Sequence, residues 1–571
     1  MQIYKGRTKN MNKKWEVNKR EETKIQQVAQ ENNISPLLAS ILVNRNIVNK
    51  EKVQLFLNPT RNDFHDPFLM PDMKQAVDRI LKAIEEKEKV IIYGDYDVDG
   101  ITSITVLKKF LAERGLEVGA YMPNRLEEGY GLNKKAIEQV AEQNYTLMVT
   151  VDCGISGNEE IEYAKQLGIE VIVTDHHEPG EQIPNCLAVV DAKRKDNKYP
   201  FNQLAGVGVV FKLIQAISIS LNLDAKEYLK YLDIVCVGTI SDIVPLIDEN
   251  RTIAKLGLQL IPLTKNIGLK ILLQSIGYKN INSTAISFGV APRINACGRM
   301  GAESEALKFF LTNNIQEARD ITEKLNQYNV ERQTTEKKIF EQAMEQIQNT
   351  SQEEPCIVLG KEGWHHGVIG IVASKVTDIY FKPSILICFE GEEGKGSGRS
   401  IPGFDLHDAL MNCSTYIDKF GGHSMAIGIT VKKQNFERFK KEFEEYAKKS
   451  NICDIIPIIQ IDEEINLKQI DLQMVKDLRL LEPYGEANKL PLFLFRNLKI
   501  QAIRSLSEGK HLKLKLGQEN LLVDAIGFNM GNLAENYCMG DKVDLVGSLE
   551  VNEFNGNEQI QINLKDIRKA T

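Results

Sequence analysis

The sequence has no apolar run near the ~20 residues that a bilayer-spanning helix requires. Its start, Met1 to Lys24, is polar and lysine-rich with no hydrophobic h-region. These two absences point away from a membrane span and a secretory leader. There is no C-x-x-C pair. The nine cysteines are scattered, which removes the usual zinc and thiol-redox spacings and reads as free thiols in a reducing compartment, the cytoplasm. There is no excess of positive charge either. A net charge of −7 and a pI near 5.8 argue mildly against a nucleic-acid binder, although a local basic groove survives inside an acidic protein. Tandem repeats and low-complexity tracts are also missing.

What is present is a set of apolar runs that stop at acidic residues. Val90-Ile91-Ile92-Tyr93 leads into Gly94-Asp95-Tyr96-Asp97-Val98-Asp99-Gly100. Leu147 to Val151 leads into Asp152-Cys153-Gly154. Ile169 to Val173 leads through Thr174 into Asp175-His176-His177, and Ile234 to Ile240 runs into Ser241-Asp242. Short apolar runs followed by helical patterns read as buried parallel strands, and ligands bind beyond the carboxyl ends of such strands. Asp95, Asp97 and Asp99 would repel one another unless cations neutralised them. An EF-hand calcium loop is excluded, because its twelfth position requires glutamate and here holds Val106. Adjacent residues at a strand mouth cannot easily face one metal together, so His176 is the expected ligand and His177 a supporting or substrate-facing group. Mixed Asp and His ligation suits Mn²⁺, and Mg²⁺ less well. Five or six such ligands can hold two ions ~3.5–4 Å apart, the arrangement that serves in-line phosphoryl displacement.

At 571 residues the chain is too long for one core, and three or four domains are expected. Residues 1–75 read as a helical lead-in, with Ser35-Pro36 as a helix start. Residues 76–300 alternate strand and helix, as in a doubly wound parallel sheet. Residues 301–354 read as a long connecting helix, broken once at most, and 355–448 as a second α/β domain. Residues 449–571 change character: His511 to Leu516 and Gln559 to Ile562 alternate strictly between glycines, the pattern of a small antiparallel barrel.

Glycine-flanked basic groups form a second family of candidates. Arg125 precedes Gly129-Tyr130-Gly131; Arg293 and Arg299 frame Ile294 to Gly298; Ser397 and Arg399 lie in Gly396-Ser397-Gly398-Arg399; His423 follows Gly421-Gly422. Such settings let side chains and backbone amides approach phosphate closely. Gly206-Val207-Gly208 is no dinucleotide fingerprint, since the third glycine is missing.

The four acidic motifs together resemble those of the DHH phosphoesterase superfamily, and within it the branch of bacterial single-strand-specific 5′→3′ exonucleases. The likeness extends along the chain. Phe56-Leu57-Asn58-Pro59 and Asp66-Pro67-Phe68 are similar to that branch's N-terminal region. Trp364 to Gly370 and Gly421-Gly422-His423 are similar to a DHHA1 domain. Leu481 to Gly485 and Asn552 to Gly556 are similar to an OB-fold. The resemblance implies metal ligation by Asp97, Asp99, Asp152, His176 and Asp242, with Asp95 as a further ligand or support. It implies a phosphoryl contact for His177, and a 5′-phosphate site from Arg125, Arg299, Ser397, Arg399 and His423. It further implies a single strand held by the OB-like tail, release of 5′-mononucleotides in DNA repair and recombination, and a single-strand-binding protein and a RecQ-like helicase as partners. Two positions depart from the family pattern. Tyr93 stands where many relatives carry histidine, and Gly485-Glu486-Ala487-Asn488-Lys489 replaces Gly-x-Gly-Asn-Pro. Competing readings are a short-RNA or cyclic-dinucleotide phosphodiesterase, a pyrophosphatase, and a catalytically silent nucleic-acid-binding factor.

Overall fold

The computed structural model describes residues 13–125, 128–349, 354–450, 452, 455–554 and 556–570. They form two compact units. The larger takes in Asp66–Asp242 and Gly257–Pro457; the smaller takes in Lys13–His65, Ile243–Leu256 and the chain from Ile458 on. Among the described residues no single helix is long and apolar enough to cross a membrane, and none of the eight described cysteines forms a disulfide.

The larger unit opens with a five-stranded sheet in the order Glu117–Tyr121, Lys89–Gly94, Leu147–Val151, Glu170–Thr174, Ala188–Val190, parallel throughout. The central strand Leu147–Val151 is buried along its whole length, which is why these runs read as continuous apolar stretches instead of alternating ones. Strand order reverses between Lys89–Gly94 and its two neighbours, and a crevice opens at such a switch point. The expectation of a strand over Ile234 to Ile240 is corrected: Leu232–Ser241 is an α-helix, buried from Leu232 to Ile240. A helix enclosed on all sides is apolar all round, so it shows no periodicity to separate it from a buried strand.

The helix Ile315–Gln348 runs unbroken for 34 residues, about 50 Å. Asn314 caps it by accepting from the Gln316 and Glu317 amides. The one break comes before it, after the helix Glu303–Leu311. Its far end, from Ile339 to Ile347, packs with Trp364, Val368, Val372 and Leu386. Beyond it a second five-stranded sheet is ordered Lys419–His423, Ala426–Lys432, Glu393–Arg399, Ser384–Glu390, Ile357–Glu362.

In the smaller unit, Phe493–Leu506 pairs with both His511–Gln518 and Lys542–Phe554 and so closes a barrel. The barrel is not wholly antiparallel as expected, because Leu521–Gly527 pairs in parallel with Asn557–Lys569. The helices Glu22–Asn32, Pro36–Asn44 and Lys50–Leu57 contribute Ile25, Leu38, Leu42 and Val53 to the barrel's own core. The departure at Ala487 has a local consequence. Ala487 takes φ 56°, a left-handed conformation that costs a side-chain-bearing residue roughly 1 kcal/mol. Replacing Ala487 with Gly is therefore expected to stabilise this unit by up to about 1 kcal/mol, read as a shift in urea midpoint at constant slope.

Candidate metal centre and anion site

The acidic residues converge at the switch point, and backbone hydrogen bonds hold Asp97 and Asp99 in place. Asp97 caps the helix Val98–Ala112, its Oδ1 accepting from the Asp99 amide at 2.8 Å and the Gly100 amide at 3.1 Å. Asp99, 1% exposed, accepts from the Gly206 and Val207 amides at 2.7 and 2.8 Å. Those amides open the helix Gly206–Ser220, whose N-terminus favours a negative charge. Gly206 is required by close approach, since a Cβ there would lie 2.7 Å from the Asp152 side chain. Gly206, part of the pattern that is no nucleotide fingerprint, thus lies against two carboxylates. Asp152 has φ 58°, backbone strain of the kind stored at functional sites.

His176 Nε2 lies 3.1 Å from Asp152 Oδ1, 3.7 Å from Asp242 Oδ2 and 3.9 Å from Asp99 Oδ2. Three sets of side chains bring their ligating atoms within 4.8 Å of one another: Asp95, Asp97 and Asp152; Asp99, His176 and Asp242; Asp152, His176 and His177. Asp152 belongs to two of them. The buried oxygens Asp95 Oδ1 and Asp152 Oδ1 accept no hydrogen bond, a costly state that a bound cation would relieve. These residues therefore fit two divalent ions with oxygen and imidazole ligands. Tyr93 supplies nothing to this set: its hydroxyl donates to Gly131 O at 3.1 Å and accepts from Asn133 at 3.2 Å.

Burial and mutual repulsion shift the ionisation of these groups. Burial, then Asp97, pushes Asp99 up to about 7. Burial and the neighbouring carboxylates raise Asp95, Asp152 and Asp242 well above the usual range. Burial, with His177 beside it, pushes His176 down to about 3, so its imidazole is neutral and able to ligate. Asp175 is not aimed at the cluster. It accepts from the amides of Ile155, His176 and His177 and from His177 Nδ1 at 2.7 Å. Burial opposes charge on His177, but the Asp175 hydrogen bond and charge outweigh it and raise the His177 pKa.

A second cluster is cationic. Burial, then Arg125, Arg332 and Arg399, lowers Arg299 to about 9; burial, then Arg125, lowers Arg399. Arg399 Nη1 lies 3.0 Å from Ser397 Oγ. Arg299 donates to Gly367 O at 2.7 Å, at the start of the helix His366–Tyr380. Arginines gathered in this way repel one another unless an anion lies among them. The helix Ala291–Arg299 joins the two clusters: Asn295 accepts from the Val98 amide at 3.1 Å, and Arg299 follows one turn later. Tyr96 lies between the clusters, with the Arg125 guanidinium 5.0 Å from its ring centre. His423 is exposed and stands in register with Ala426, which faces Arg399 on the next strand. Two strand spacings, about 10 Å, separate it from Arg399.

Three residues at these sites escaped the sequence reading. Arg332 sits on the long helix, tied to Glu336 and Asn329. Tyr130 places its hydroxyl 3.3 Å from both Asp152 O and His177 Nδ1. Asp191 ends the strand Ala188–Val190, and burial raises it to about 7. Its signal was there, since Val189-Val190-Asp191 is one more apolar run stopped by an acid.

Family models match at three places: the DHH family N-terminal domain over residues 89–239, the DHHA1 domain over 353–449, and the RecJ OB domain over 461–566. The single-stranded-DNA-specific exonuclease RecJ of Bacillus subtilis is 37% identical over 97% of this chain and 70% of its own length. The chain belongs to the RecJ family. Crystal structures agree. RecJ from Thermus thermophilus in complex with Mn²⁺ superposes with a TM-score of 0.85 at 30% identity, covering 98% of this chain and 80% of that one. Its Mg²⁺ complex gives 0.79 at 28% identity, over 98% and 79%. In this RecJ-family chain the DHH match ends at residue 239, just short of Asp242.

Proposed function

We propose that this protein is a metal-dependent exonuclease that degrades single-stranded DNA from the 5′ end and releases 5′-mononucleotides. The observation that carries the reading is one helix, Ala291–Arg299, linking a cluster of divalent-cation ligands to a cluster of four arginines, of which Arg332 is paired with Glu336. Asp95, Asp97, Asp99, Asp152, His176 and Asp242 would hold two Mn²⁺ or Mg²⁺ ions, Asp152 serving both. Bound there, the ions supply Lewis acidity at the phosphate and lower the pKa of water. The chain's own groups do the rest. Arg125, Arg299, Ser397 and Arg399 grip the terminal 5′-phosphate and so set polarity. His177, its pKa raised by Asp175, would face the phosphoryl oxygens. Water attacks phosphorus, the bond to the 3′ oxygen breaks, and the shortened strand is left with a new 5′-phosphate for the same arginines. The family resemblance further suggests a role in DNA repair in the cytoplasm, with a single-strand-binding protein and a RecQ-like helicase as partners.

Incubation with Mn²⁺ and a 3′-labelled single strand, with and without a 5′-phosphate, tests this. Stepwise shortening from the 5′ end, sparing duplex, is expected; an intact strand beside hydrolysed dinucleotides or pyrophosphate would refute the substrate. Arg399→Ala is expected to raise KM for the 5′-phosphorylated strand about 10- to 100-fold, the range of a hydrogen bond to a charged group, with kcat little changed. An unaltered preference for the phosphorylated strand would remove Arg399 from the anchor.

A further inference from the structure

From Arg251 to Ala302 the chain holds no Asp or Glu, although carboxylates number 78 in its 571 residues. Within that stretch Lys265, Lys270 and Lys279 are exposed. So are aromatic side chains: Phe288 is 74% exposed and Tyr278 is 42% exposed. Phe288 is not on a loose loop. It sits in a π-helical turn, Ile286–Val290. Pro292 accounts for the turn, because it lacks the N–H that would bond the Phe288 carbonyl, and its ring crowds that carbonyl. The Ala291 amide reaches back to Ile286 O instead. Arg293 then clamps the turn, donating to Gly289 O and to Asn326 Oδ1, both at 2.7 Å. Tyr278 packs so closely on Gly289 that a Cβ there would lie 2.7 Å from its ring. The backbone is fixed while the Phe288 ring is left in water, forgoing the stabilisation of burial.

The turn leads directly into the helix Ala291–Arg299, which carries Asn295 and Arg299 to the two clusters described above. Arg293 also feels the charge of Arg332, which in turn is felt by Arg299. Basic charge therefore continues from the anion site to the Phe288 turn without a carboxylate on the connecting chain. An exposed aromatic on a lysine- and arginine-bearing stretch of chain without acidic residues matches single-stranded nucleic acid, where charge follows the backbone and rings stack on bases.

We propose that Phe288 is a stacking platform for a base of single-stranded DNA, on a basic face that extends from the arginine cluster towards Tyr278 and Lys279. This rests on the function proposed above. The test is binding of a labelled oligothymidylate to the full chain in EDTA, followed by fluorescence anisotropy. Phe288→Ala is expected to raise Kd roughly 5- to 150-fold, the range of one base–aromatic stack, while Phe288→Trp retains tight binding. A strand with abasic positions should bind the unsubstituted protein more weakly than the intact strand, and the Phe288→Ala variant should discriminate less between the two. Equal Kd for the Ala variant and the unsubstituted protein, at matched melting temperatures, would overturn the platform, as would equal discrimination against the abasic strand. Degradation of single strands by the unsubstituted protein is measured alongside. Its absence would refute the exonuclease reading, whereas its presence with unchanged binding by the Ala variant would refute the platform alone.

Discussion

Asparagine in place of Asp152 is expected to cut degradation of single strands by on the order of 10³-fold or more while the chain keeps its fold, well beyond the ~10–100-fold that losing a supporting partner of a metal ligand costs. Asp152 is the one side chain common to a carboxylate-only ligand set and a histidine-containing set, so its loss weakens both candidate ion positions. Amide nitrogen cannot replace the buried Oδ1 that now lacks a hydrogen bond. Asp175 provides the contrast. Its carboxylate is spent on three amides and the His177 ring, so Asp175→Asn should fall within the supporting range of ~10–100-fold. Turnover at saturating Mn²⁺, with thermal melts of both variants, decides between them. Asp152→Asn activity within tenfold of the unsubstituted protein would sink the shared-ligand assignment.

How much of this was legible in the sequence depends on what each residue leans on. Asp95, Asp97, Asp99 and Asp152 were legible because a strand end is a local event: an apolar run, then an acid, with the sheet doing the rest. Asp242 was reached by the wrong route. The run before it reads as a strand, yet Leu232–Ser241 is a helix, and its end delivers a carboxylate to the same crevice. Arg332 left no mark because nothing in a 34-residue helix of mixed charge distinguishes one arginine from another until Arg299 is seen beside it. The function of Gly206 was equally hidden. What requires a glycine there is the Asp152 side chain 2.7 Å from the position of its missing Cβ, a contact across more than fifty residues of sequence. The two departures from the family pattern at Tyr93 and Ala487 were visible as letters, but only the hydroxyl's bond to Gly131 and the φ of 56° say what they do.

Without divalent metal, the protein should lose stability as pH rises from 6.5 to 8.0. Asp99 at about 7 holds a proton over part of this window that the unfolded chain has already lost, and Asp95, Asp152 and Asp242 are shifted in the same direction. Each such proton makes stability fall by ~1.4 kcal/mol per pH unit. His177 acts in the same direction, since its pKa is raised on folding and its contribution fades as pH climbs through the folded value. His176, lowered to about 3, works the other way near pH 6.5, where the unfolded imidazole still binds about half a proton; that offset is about 0.4 kcal/mol over the interval. Asp99 alone, titrating at about 7, gives a loss of about 1 kcal/mol over the interval, and the other carboxylates act in the same direction. Metal reverses the slope, because ligation requires the deprotonated carboxylates that alkaline pH supplies. The rise in melting temperature on adding Mn²⁺ to EDTA-stripped protein should therefore be larger at pH 8.0 than at 6.5. Asp152→Asn, with one fewer buried acid to neutralise, should flatten the metal-free curve and shrink the metal response together. A metal-free melting temperature that stays level across the interval would mean that the carboxylates are not crowded in solution as they are here. A Mn²⁺ shift independent of pH would mean that the ion binds elsewhere.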